Sequence, residues 1–154
     1  MRRQLAIAHE WGRVALGAYR LRREFAVRLA SQPLPEALSL LEPAGTLRWL
    51  SARQILTAIR WGLRLPTRGP KSTCLIRAVT LGRFLREAGE DVTLVIGVRR
   101  EPPGELEAHA WLERPLGDPV AETPCDGDYQ VIYRYPPSDA DSAMPPSLAS
   151  LPLR

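Results

Sequence analysis

Apolar residues in this chain change period once. Up to Leu85 they recur at steps of three and four, and from Val92 onwards they alternate. The first period belongs to helices and the second to strands. Ile7, Trp11, Val14, Ala18, Leu21, Phe25 and Leu29 place one apolar face on a helix over 5–29. Pro33 and Pro35 break the chain, a short helix is expected over 36–41, and Pro43 with Gly45 breaks it again. Ser51-Ala52-Arg53-Gln54 is a capping-box pattern opening a helix that carries Ile55, Leu56, Ile59 and Leu63 and stops at Pro66. The next helix is expected over 74–88, capped by Ser72 or Thr73 and ended by Gly89, with Leu75, Val79 and Leu85 on its apolar stripe. Strands follow at 92–98, 106–114, 119–123 and 129–135, with a loop over 99–105 that holds Pro102, Pro103 and Gly104. Helices first and strands afterwards give an α+β fold, in which N-terminal helices and a cysteine-bearing helix pack against a small antiparallel sheet.

A length of 154 residues suits one domain with its own core. The expected domain covers 1–135, with a helical front part over 1–66 and the cysteine helix and sheet over 67–135. Residues 136–154 are rich in Pro, Ser and Ala and read as a flexible tail. Cys74 and Cys125 are the two cysteines, and no signal peptide precedes them, so a reduced, cytoplasmic setting is expected. No apolar run has the length of a membrane span. Residues 1–72 hold 13 Lys/Arg against 4 Asp/Glu and the remainder 8 against 13, so a +9 front precedes a −5 back. The arginines are scattered through helices without an aromatic platform or a binding motif, which argues against nucleic acid. The stripe of the first helix is expected to pack on the domain; its alternatives are docking on a partner protein or on an anionic membrane surface.

Chemistry is concentrated in the second half. Cys74 opens a helix, where the positive end of the helix dipole, with Lys71 and Arg77 beside it, favours the thiolate form. Glu107-Ala108-His109-Ala110-Trp111-Leu112-Glu113 alternates strictly and carries one of the two histidines, the other being His9. The next expected strand carries Glu122. Either Cys74 or His109 alone is compatible with packing. Together, cysteine, histidine and carboxylate on helix, strand and next strand match a nucleophile, a base and an orienting acid. With a turn over 115–118, Arg114 pairs with Pro119 and Trp111 with Glu122, making His109 and Glu122 diagonal neighbours. Asp118, within that turn, is the rival acid.

Thr73-Cys74-Leu75 and its helix, then Val95-Ile96-Gly97-Val98-Arg99-Arg100, then Ala108-His109-Ala110-Trp111-Leu112-Glu113, resemble the transglutaminase-like cysteine peptidases of lasso-peptide biosynthesis over roughly residues 52–123. The resemblance implies a papain/transglutaminase-like core, a Cys74–His109–Glu122 triad with Glu where Asp is usual, and no cofactor or metal. It implies removal of the leader from a ribosomally made lasso precursor, ahead of an ATP-dependent macrolactam cyclase. Many such proteins begin with a winged-helix domain that grips the leader peptide. This chain has no length for one and so resembles the stand-alone peptidase half, which implies a separate leader-binding protein as partner. The alternatives are a transglutaminase-like acyltransferase and a non-catalytic scaffold of a biosynthetic complex.

Overall fold

A computed structural model describes residues 2–65, 73–101, 104–115, 120 and 128–136. Helix α1 (Arg2–Ser31) is followed by a one-turn α2 (Leu34–Ala37) that runs into a 3-10 turn at Leu38–Leu41, then by α3 (Ala52–Arg64) and α4 (Cys74–Glu87). Strands β1 (Thr93–Glu101), β2 (Glu105–Glu113) and β3 (Gln130–Tyr135) form one antiparallel sheet in the order β2-β1-β3. The α+β architecture read from the change of period is the one observed.

Local chemistry explains most element ends. The Ser51 hydroxyl accepts from the Gln54 amide at 3.4 Å while the Gln54 side chain accepts from the Ser51 N–H at 2.9 Å, closing the capping box of α3. Thr73 is the cap of α4: its hydroxyl accepts from the Ile76 N–H at 3.3 Å. At the other end Gly89 adopts φ +84°, and the Gly89 and Glu90 amides donate back to the Arg86 and Leu85 carbonyls. Only glycine takes that conformation without strain, so the helix stops there.

The helices and one face of the sheet share a single core. Val14, Ala18, Leu21 and Phe25 of α1, Ile55 and Ile59 of α3, and Val79 and Leu85 of α4 are buried together with Leu94, Ala110 and Leu112 of the sheet. The stripe of α1 therefore packs on the domain, with Val14 fully enclosed and Ile7 and Trp11 half-buried against the core. Leu29, expected on the same stripe, is 43% exposed.

Glu87 is a buried carboxylate at the end of α4. It meets Arg83 at 3.4 Å and Arg13 at 3.8 Å and accepts from the Ala44 amide at 3.3 Å. Its own carbonyl accepts from Leu47 at 2.7 Å. One residue thus ties the segment 44–47 to both α4 and α1.

One strand expectation needs correction. The segment 99–105 is not a loop throughout: β1 and β2 stay paired through Arg99↔Glu107 to Glu101↔Glu105. The Arg99–Glu107 ion pair, at 2.6 Å, adds a cross-strand contact that alternation in one strand cannot announce. The strand expected at 119–123 is described only at Val120, whose amide donates to the Leu112 carbonyl at 3.0 Å. Pairing Arg114 with Pro119 would have put Val120 opposite Glu113, so this bond is displaced by one residue. Residues 137–154, most of the expected tail, lie outside the described residues. No helix among the described residues is long and apolar enough to cross a membrane.

Candidate active site

Cys74 is the first residue of α4 and a free, half-buried thiol lying against the core. Because it follows the cap, its backbone N–H belongs to the group of first-turn amides that have no partner within the helix. That amide is a ready hydrogen-bond donor beside the sulfur.

His109 sits at the middle of β2, directly opposite Gly97 of β1. Its ring stacks on Trp111 with centroids 6.2 Å apart and planes 19° from parallel, and Tyr129 lies 5.7 Å away on another side. Gly97 makes this possible. A Cβ there would come within 2.7 Å of the Trp111 ring and 3.0 Å of the Tyr129 Cβ, so the indole can lie over β1 only because the side chain is missing. The Trp111 indole N–H donates to Glu113 at 2.9 Å, and Glu113 is held in turn by Arg134 at 2.7 Å. Arg99 reaches both Glu107 and the face of Tyr129, 4.9 Å from its centroid. The aromatic cluster that positions the imidazole is thus fixed by charged groups at both ends.

The two sequence blocks of the resemblance turn out to be cross-strand partners. Ile96 faces Ala110, Gly97 faces His109, Val98 faces Ala108 and Arg99 faces Glu107. Side chains on a strand alternate between faces, so His109, Trp111 and Glu113 share one face, while Ala110 and Leu112 share the other. Leu112 packs near Gly82 of α4 and lies in the core with the helices. α4 and the imidazole are therefore on opposite faces of β2. Among the described residues β2 is an outer strand of the sheet, and Val120 is hydrogen-bonded to Leu112 on it.

Glu122, its rival Asp118, Cys125 and Lys71 lie outside the described residues. Arg77, one turn along α4 from Cys74, is exposed. His9 lies on an exposed part of α1, a different element from the sheet. Sequence reasoning missed Tyr129 and the partnership of Arg99 with Glu107; both depend on which strands become neighbours.

Comparison with protein families gives a match to the model of the transglutaminase-like superfamily over residues 6–134. Neither curated proteins nor solved structures gave a match.

Proposed function

Since the chain belongs to the transglutaminase-like superfamily, which includes cysteine peptidases and acyltransferases, we propose that it is a cysteine endopeptidase that removes the leader from a lasso-peptide precursor. The observation that carries this reading is the placement of Cys74 at the head of a helix packed on β2, with Ala108–Trp111 laid residue for residue against Val95–Val98.

In the proposed mechanism His109 takes the thiol proton of Cys74. Glu122 orients the imidazole, with Asp118 as the other candidate. The thiolate attacks the peptide carbonyl and the oxyanion accepts a hydrogen bond from the Cys74 N–H. His109 then protonates the leaving amine, and water, deprotonated by the same imidazole, releases the acyl group. Catalytic contacts that are long in a free enzyme commonly tighten when substrate is bound.

The natural partners in this reading are the precursor's leader peptide, a separate leader-binding protein and a macrolactam cyclase that takes the product. Holding the precursor through its leader raises the local concentration of the cut site at Cys74. The test is cleavage of full precursor by the chain, with and without the leader-binding protein, followed by mass spectrometry of both fragments. A cut between leader and core that depends on the partner supports the proposal. If an added amine is acylated in preference to water, the acyltransferase reading takes its place. If no acyl-enzyme forms on Cys74, the chain is a scaffold.

A further inference from the structure

At the end of α4 remote from Cys74, a cleft of about 360 Å³ opens between α1, α4 and the segment 44–45. Phe84, which lines it, follows Cys74 by ten residues, or about 15 Å along the helix axis. The two helices run antiparallel here, since Gly17 meets Phe84 and Arg13 meets Glu87. Gly17 permits that approach: a Cβ on it would come within 2.6 Å of the Phe84 ring.

Two groups in the cleft are left over from the fold. Glu87, whose side chain is 5% exposed, uses Oε1 to accept from Arg83 Nε at 3.4 Å and from the Ala44 amide at 3.3 Å. Its Oε2 has Arg13 Nη2 at 3.8 Å, beyond hydrogen-bond reach, and no closer donor among the described residues. A buried acceptor without a donor favours a ligand that brings one. Two guanidinium groups already flank Glu87, so a neutral hydroxyl or amide suits it better than a further cation. Seven residues along α1 from Arg13, Arg20 lines the same cleft, exposed and without a hydrogen bond or ion pair among the described residues. Glu24, the other carboxylate of the lining, is held by Arg28 at 2.7 Å, so Arg20 stays open to an anion. Between Arg20 and Glu87, Leu16 and Phe84 supply apolar surface.

We propose that this cleft is a second binding site, separate from Cys74, for a small organic acid whose far end carries a neutral hydrogen-bond donor. The carboxylate meets Arg20, the apolar middle covers Leu16 and Phe84, and the donor reaches Glu87 Oε2. Arg13, beside Glu87, and Arg20 lie about 10 Å apart along α1, which sets the length of the ligand. The volume falls within the range of small-molecule pockets, which begins at about 300 Å³. At about 30 Å³ per water, binding exchanges about a dozen waters for the ligand. Phloretate, an aromatic ring with a phenol at one end and a propionate at the other, has this length and size. Nothing in the site depends on the reaction at Cys74.

The experiment titrates phloretate against the full chain, followed by ligand-observed NMR. It is repeated with hydrocinnamate, which lacks the donor, para-ethylphenol, which lacks the acid, and inorganic phosphate, which lacks the apolar body. Phloretate is expected to saturate one site with a Kd of about 1 mM or lower, and each of the others to bind at least about fivefold more weakly. Arg20→Gln is expected to weaken phloretate binding at least about tenfold and to leave the unfolding midpoint unchanged, since Arg20 holds nothing in the fold. Arg23→Gln, which removes the same charge from an exposed position of α1 outside the cleft, is expected to change the affinity less than about twofold. No saturable binding of phloretate, or equal losses from the two substitutions, overturns the site. Equal affinity for hydrocinnamate overturns the role of Glu87, and equal affinity for phosphate reduces the site to a bare anion contact; either result overturns the ligand class proposed.

Discussion

Gly97 and His109 are directly paired across β1 and β2, and the missing side chain of the first sets the position of the second. The Trp111 ring occupies the volume a Cβ would need, and His109 stacks on that ring. Gly97→Ala should therefore push the indole off β1 and release the imidazole from its stack. The expected cost in stability is about 1–3 kcal/mol, as for other overpacked sites. Activity should fall further than stability explains, because the base loses its position. Denaturant unfolding and near-UV circular dichroism of the tryptophans measure the first effect, and precursor cleavage the second. An intact near-UV spectrum would show that the ring does not depend on Gly97.

Cys74 and Cys125 should differ sharply. Cys74→Ala is expected to abolish both precursor cleavage and labelling by peptidyl electrophiles. Cys125→Ala should retain nearly full activity, since the negative charge of the neighbouring Asp126 disfavours a thiolate. Equal loss from the two substitutions would sink the assignment of the nucleophile.

What the sequence disclosed of this fold is what local chemistry decides. The Ser51–Gln54 box, the cap at Thr73 and the stop at Gly89 each depend on a few adjacent residues, and each was found where the pattern placed it. Alternation in β2 likewise told which residues share a face with His109. It could not tell which face the helices cover, because that depends on Leu94 and Leu112 meeting side chains from α4 and the 3-10 turn. Nor could it place Tyr129 against His109, or carry β1 on to Glu101, since both need the sheet order β2-β1-β3 and its register. The reading of the first helix left three roles open for its apolar stripe, and burial of Val14 through Phe25 decides for packing.

Glu87 should prove essential to stability rather than to chemistry. Its carboxylate lies between Arg83 and Arg13 and accepts the Ala44 amide, all at the end of α4 remote from Cys74. Glu87→Ala leaves the part-buried Arg83, the more exposed Arg13 and the Ala44 amide without this acceptor, at an expected cost of about 1–3 kcal/mol. Thermal and denaturant unfolding check this. The labelling rate of Cys74 in the fraction that remains folded should stay within a few-fold of the original.

Tyr135 offers a pH signature for the contact between β3 and the 3-10 segment. Its phenol is raised above the ordinary tyrosine value by burial first and then by the negative charge of Glu42, whose carboxylate accepts the hydroxyl at 3.2 Å. A folded-state pKa above the unfolded one means that this contribution to stability is complete below about pH 10. It is lost as pH rises from there through the folded value, because the unfolded chain releases its proton first. Absorbance titration near 295 nm should show two tyrosines, Tyr133 and Tyr135, ionising late, and Glu42→Gln should bring the Tyr135 phenol part of the way back towards the others. A titration unchanged by that substitution would mean that burial alone holds the phenol.

The orienting acid is the member of the proposed triad most sensitive to register. A strand shifted by one residue turns every side chain to the opposite face, and the Val120–Leu112 bond is one residue away from the pairing that made Glu122 a diagonal neighbour of His109. The choice between Glu122 and Asp118 is therefore best made by substitution. Glu122→Gln keeps size and polarity but no longer fixes the imidazole tautomer, so it should lower kcat by roughly 10²–10⁴ while leaving the unfolding midpoint nearly unchanged. Asp118→Asn should cost less than tenfold if Glu122 is the acid. If Asp118→Asn abolishes cleavage at an unchanged unfolding midpoint and Glu122→Gln leaves it intact, Asp118 is the third member.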